Sequence, residues 1–220
     1  RRSLNRTFRT RGRSGGLDSG KVQCVAKKQG CLLAAHAKAE KKGVQVDGTA
    51  ILKCTDKFDG GTKGFLKGCI GKLEEKEDAR KPQTICTVTG DLVALEAKVD
   101  AFVADVVSEI DPNFPSVQPP NDCNAGKKAC MWKKASCLLK VRASALTKNV
   151  GASIEALQKC KEKFDGGSKP EKGCILKLEA KQNLSKPKTL CSVPHDNVAA
   201  LEGKVDAFVD DVVSEIRNAP

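Results

Sequence analysis

The chain has 220 residues, 40% hydrophobic and 30% charged, with a formal net charge of +12 and eleven cysteines. Aromatic residues are scarce (7 Phe, 1 Trp, no Tyr), so the composition excludes an aromatic-rich β-sandwich and favours small helical cores built on Ala, Val and Leu. No apolar run approaches the length that spans a bilayer, which excludes a transmembrane helix.

The chain opens on Arg1 rather than Met, and reads as a mature product whose leader has been removed. Residues 1–13 hold Arg1, Arg2, Arg6, Arg9, Arg11 and Arg13 with no acid, which is half of the charge excess. Segment 1–18 is expected to be a basic flexible arm that docks on another subunit, contacts a polyanion through salt-sensitive charge pairing, or is a remnant of processing.

Four helices are expected next. The first covers 20–42 and is closed by Gly43; the second covers 48–58, with Asp47 as N-cap and Gly60-Gly61 as the stop. A third spans 63–78 and ends before Pro82. The fourth spans 91–110 and stops at Asp111-Pro112. It carries the strongest helical stripe, with Leu92, Leu95, Val99, Phe102, Val106 and Ile110 at intervals of three and four, widened by Val103 and Val107.

The whole pattern then recurs. Lys57-Phe58-Asp59-Gly60-Gly61 and Lys67-Gly68-Cys69 return as Lys163-Phe164-Asp165-Gly166-Gly167 and Lys172-Gly173-Cys174. Val99-Asp100-Ala101-Phe102-Val103 returns as Val205-Asp206-Ala207-Phe208-Val209. Cys24, Cys31, Cys54, Cys69 and Cys86 match Cys130, Cys137, Cys160, Cys174 and Cys191, while Cys123 stands outside the repeat. The expected fold is therefore all-α: two tandem disulfide-stapled four-helix units, 19–111 and 125–216, joined by a Pro-rich linker at 112–124 and followed by a tail at 217–220.

No C-x-x-C occurs, so the spacings of zinc and thioredoxin sites are missing and the cysteines read as disulfides of an oxidising compartment. Cys24 and Cys31 lie two helical turns apart on one face. An antiparallel turn near Gly43 brings Cys31 toward Cys54, with Ala35 and Ala50 small enough for close approach, which predicts Cys31–Cys54 and Cys137–Cys160. Cys69 and Cys86 flank one connection, which predicts a local bridge there and another between Cys174 and Cys191. Cys24, Cys123 and Cys130 remain unassigned.

The run from Cys31-Leu32-Leu33 to His36-Ala37-Lys38-Ala39, the two glycine-centred motifs, and Leu95-Glu96-Ala97-Lys98-Val99 resemble a cysteine-rich helical tandem-repeat family of secreted bacterial proteins. The resemblance covers nearly all of both units. It implies location and architecture, and lends no site residues because that family has no assigned activity.

Catalytic signatures are missing. His36 aligns with Arg142 and His195 has no counterpart, so no histidine site is shared by both copies. Haem, phosphate-loop, calcium and nucleophile-elbow patterns are absent. No metal, cofactor or catalytic residue is expected. Asn5-Arg6-Thr7 and Asn183-Leu184-Ser185 fit the glycosylation triplet. The expected function is a non-enzymatic structural or assembly protein, secreted, periplasmic or at the cell surface, whose partners are copies of itself or another extracellular protein. The alternatives are a polyanion-binding module acting through the arm and a carrier of an apolar cofactor or lipid between helices.

Overall fold

A computed structural model describes residues 15–78, 80–81, 85–116, 118–193 and 197–218. Among them there are eight α-helices and no strand. These are α1 (Gly16–Lys42), α2 (Gly48–Asp59), α3 (Cys69–Glu74), α4 (Leu92–Ile110), α5 (Asp122–Lys148), α6 (Ile154–Asp165), α7 (Cys174–Glu179) and α8 (Val198–Asn218). Five disulfides staple them. No helix of the described residues is long and apolar enough to cross a membrane. The arginines of the arm, Asn5 and His195 lie outside the described residues.

Helix ends follow local chemistry. The Asp47 carboxylate accepts from the Thr49 amide, and Gly43 and Gly60 close α1 and α2 in the left-handed region at φ 62° and 99°. Asn149 takes the place of Gly43 in the second copy, at φ 52°. The repeated glycine motifs are one device. Asp59 accepts from the Gly61 amide, Asp165 accepts from Gly167, and Gly68 packs on the turn so formed. A Cβ on Gly68 would sit 2.4 Å from the Asp59 carbonyl carbon; one on Gly173 would sit 2.5 Å from that of Asp165. That turn also corrects the expected 63–78 helix. Gly64 at φ 88° and extended Gly68 leave two short 3-10 turns, so the helix starts only at Cys69.

α1 begins at Gly16, inside the expected arm, and α5 begins at Asp122, inside the expected linker. Segment 112–116 is a set of turns rather than an extended strut, and Phe114 packs edge-on against His36 at 5.4 Å. The two copies are not held apart. α1 and α5 run antiparallel in the most extensive helix contact of the chain, and residues of both copies form one buried cluster. α2 and α3 flank α1, α6 and α7 flank α5, and α4 and α8 cover one side of the central pair.

The copies meet about an approximate two-fold axis. Phe102 and its repeat mate Phe208 stack at 4.1 Å, with planes 6° apart. Lys98 reaches Asp211 at 2.8 Å, and its mate Lys204 reaches Asp105 at 2.7 Å. Reciprocal contact of this kind is the mark of an isologous interface, here inside one chain.

Cys31 is bonded to Cys54 and Cys137 to Cys160, on neighbouring antiparallel helices. The local bridges expected from Cys69 to Cys86 and from Cys174 to Cys191 are not formed. Cys69 is bonded to Cys24, Cys174 to Cys130, and Cys191 to Cys123, while Cys86 is a free buried thiol. Cys24 and Cys130 point from the central helices straight at α3 and α7, which lie nearer than the loops ahead of α4 and α8. Cys123 belongs to the repeat after all: its mate, one position behind Asp18, is Leu17, and that substitution leaves Cys86 without a partner. Closing loops of 23 to 68 residues, each bridge contributes about 3–4 kcal/mol through the unfolded chain.

Burial pushes the Cys86 thiol up to about 12, so it stays protonated and inert. Leu17→Cys should restore the missing bridge. The expected result is a sixth disulfide, Cys86 lost from thiol titration under denaturing conditions, and a raised Tm. Two titratable thiols in L17C would contradict the assignment of Leu17 as the mate of Cys123.

Candidate functional site

The central helices carry four buried lysines at matching positions. Lys21 and Lys28 lie on α1, and Lys127 and Lys134 on α5, each at 2% side-chain exposure or less. In each copy they alternate with cysteines at intervals of three, four and three residues, so all four side chains share one helix stripe. Lys21 donates to Glu74 at 2.7 Å, to Asp91 at 2.6 Å and to the Val88 carbonyl at 2.6 Å. Lys127 bonds Glu179 and the Val193 carbonyl. Lys28 bonds Glu96 and Asp100 over the Phe58 ring; Lys134 bonds Glu202 and Asp206 over Phe164. Burial opposes the Lys21 charge, yet the hydrogen bonds to Asp91 and Glu74 lift its pKa above the ordinary range. Burial likewise pushes Asp91 up. The lysine pairs recur in both copies and hold the scaffold, except that Asn197 stands in the second copy where the first has Asp91.

Two other places break the repeat. The first is a groove of about 560 Å³ along the side of the α1–α5 pair that α4 and α8 leave open. Its floor is made of small residues: Ala26, Gly30 and Ala34 from α1, and Ser136 and Ala143 from α5. Trp132 forms a wall, and Lys27 and Lys140 stand exposed at the rim with no ion-pair partner among the described residues. No acid lines it. The mate of Trp132 is Ala26 and that of Lys140 is Ala34, so the groove crosses the two-fold axis but is asymmetric. Beneath it Gln29 is fully buried and donates to Ser136 at 2.8 Å and to the Trp132 carbonyl at 3.3 Å.

The second place is a cavity of about 140 Å³ at the C-terminal end of α1, closed by the turns of 112–116. His36, Glu40, Asp111, Phe114 and Lys128 line it. Lys128 pairs with Glu40, which also accepts from Asn124 at 3.1 Å. Asp111 is 3% exposed; its Oδ1 accepts from the Asn113 amide at 3.1 Å. Burial and the nearby Glu40 charge push its pKa up. Burial and Lys128 together lower His36 to about 4, and its Nδ1 is buried without a hydrogen-bond partner.

The sequence set His36 apart, opposite Arg142, but did not single out Lys128, Glu40 or Asp111. A signal existed for each. Their mates are Val22, Leu146 and Arg217, all changes of charge class. The cysteine sites form the staples described above, and Asn183 sits in an exposed turn where its Oδ1 accepts from the Ser185 amide. No group of His, Cys, Asp and Glu among the described residues is arranged to hold a metal ion. No family model matches the chain, and no curated protein or solved structure matches it either.

His36 gives the fold a pH dependence of known sign. The unfolded chain takes up a proton below 6.5 that the folded one refuses until about 4. The His36 contribution to stability is therefore complete above 6.5 and is lost as the pH drops toward about 4. Urea unfolding across that window should show a larger loss in the native chain than in His36→Gln. Equal losses would contradict the burial of His36.

Proposed function

We propose that the protein is a non-enzymatic carrier, secreted or periplasmic, that holds a single-chain anionic amphiphile in the α1–α5 groove. The observation that carries this reading is the groove itself. It is about 560 Å³, within the usual range of ligand sites, and bounded by small side chains and one tryptophan. Among the described residues it has two lysines without an ion-pair partner and no acid, in a chain with 27 acidic residues. Ala26, Gly30, Ala34 and Ala143 let an aliphatic chain lie close to both backbones, and Trp132 covers it. Lys27 or Lys140 meets the anionic head while its own stem adds apolar surface.

Five disulfides support an oxidising, non-cytoplasmic location. In this reading the two four-helix copies act as halves of one binding body rather than as independent modules. The assembly reading has less behind it, since the most exposed apolar side chains (Leu184, Ile154, Val93) stand on three separate elements. Polyanion contact rests on the arm, outside the described residues.

The chain has one tryptophan and no tyrosine, so its intrinsic fluorescence reports the groove alone. Titration with dodecanoate below its micelle concentration should give a saturable change in Trp132 emission. The paired variant Lys27→Glu, Lys140→Glu should weaken binding about tenfold or more, and dodecyltrimethylammonium should bind the native chain less well than dodecanoate. A linear, non-saturating response, or equal binding of both headgroups, would overturn the proposal.

A further inference from the structure

The cavity at the C-terminal end of α1 is separate from the groove and has its own chemistry. Among its charged groups Glu40 and Lys128 cancel in a direct ion pair. Asp111 is left over: it makes no ion pair among the described residues, it is 3% exposed, and the Glu40 charge lies nearby. Its ionised form is supported by the amide of Asn113 and by the nearby Lys128 charge. A carboxylate in that position draws in a cation or a proton.

The cavity beside it is too large for a bare ion. At about 140 Å³ it has room for roughly four or five waters at liquid density, or for a small organic molecule. Its walls are mixed. Phe114 and His36 stand edge to face at 5.4 Å, and Val44 and Pro115 add aliphatic surface. His36 is neutral at pH 7, so the cavity wall it forms carries no competing positive charge. An alkylammonium group matches these features: one positive charge and N–H donors for Asp111, and a short carbon chain for the aromatic and aliphatic walls. The elements concerned are unduplicated. Asp111, Glu40, Lys128 and His36 all replace residues of a different class in the other copy, so the cavity is not a by-product of the repeat.

We infer that the cavity formed by His36, Glu40, Asp111, Phe114 and Lys128 is a second binding site, specific for a small primary alkylammonium ligand. Asp111 is its anionic anchor, the Glu40–Lys128 pair is a fixed wall, and Phe114 is the aromatic cover.

The test uses the full chain and the ring signals of His36 in proton NMR, distinguished from those of His195 by a His195→Gln variant. Ethylammonium chloride is the probe, with sodium chloride at equal ionic strength, ethanol and sodium acetate as comparisons. The expected result is a saturable shift of the His36 signals with ethylammonium alone. Asp111→Asn, which keeps shape and removes charge, should weaken binding about tenfold or more. Phe114→Leu, which leaves every charge in place, should weaken it several-fold. Glu155→Gln, on the distant α6, should leave it unchanged. Equal responses to ethylammonium and sodium chloride, or undiminished binding by folded Asp111→Asn, would overturn the assignment. Should Asp111→Asn fail to fold, the contrast between the four solutes on the native chain and the Phe114→Leu result decide the matter. An equal shift with ethanol or acetate, or no loss in Phe114→Leu, then counts against it.

Discussion

The antiparallel pairing of α1 with α5 is the contact on which the rest of the structure depends. Each of these 27-residue helices is enclosed on its flanks by the short helices of its own copy and on one side by α4 and α8. What remains of its apolar surface finds cover only on the other copy. Leu32, Leu33, Leu138 and Leu139 are buried in a cluster to which both copies contribute, so neither copy has a complete core by itself. The duplication is in effect a two-fold dimer written into one chain. Its linker has only to connect the halves, which explains why 112–116 is free to fold over α1 and close a cavity.

The buried lysines set how those helices sit against their neighbours. Removing an ammonium group from water is costly, and its attraction to carboxylates roughly offsets that cost, so these pairs add little net stability. Geometry is where they matter. Lys21 reaches Glu74 in α3, the carbonyl of Val88 and the carboxylate of Asp91 ahead of α4, so a slip of any one of the three segments would strand a buried charge. Asp18 adds a fourth tie through the amide and hydroxyl of Thr87. The second copy keeps the contacts of Lys127 to Glu179 and the Val193 carbonyl, but has Asn197 in place of Asp91 and Asn124 and Ser192 in place of Asp18 and Thr87.

Much of this was legible in the residues. The Phe102 stripe gave α4 and α8, since a long amphipathic period is a strong helical signal, and the glycine stops and the Asp47 cap marked the ends of α2. The Cys31–Cys54 bridge followed because two helices joined by a short turn at Gly43 must run antiparallel. The other bridges were not legible, because they depend on where α3 lands on α1, and nothing local encodes that. The break at Gly68 was hidden for the same reason: a glycine in a helical pattern shows its purpose only when another backbone lies where its Cβ would be. The buried lysines were not foreseen, although their cadence with the cysteines places them on the buried stripe. Both candidate sites lie where one copy departs from the other, at Trp132 and at His36. Departures from the repeat were visible in the sequence, but which of them converge in space was not.

All five disulfides lie within a copy and none crosses between copies, so the linker is the sole covalent connection. Cleavage at a protease site placed within 112–120, without reduction, therefore tests the shared core directly. The account predicts that the two fragments remain together as one folded 1:1 body in size-exclusion chromatography and separate only when unfolded. Two fragments that part under native conditions, each keeping its helical spectrum and a cooperative transition, would contradict it.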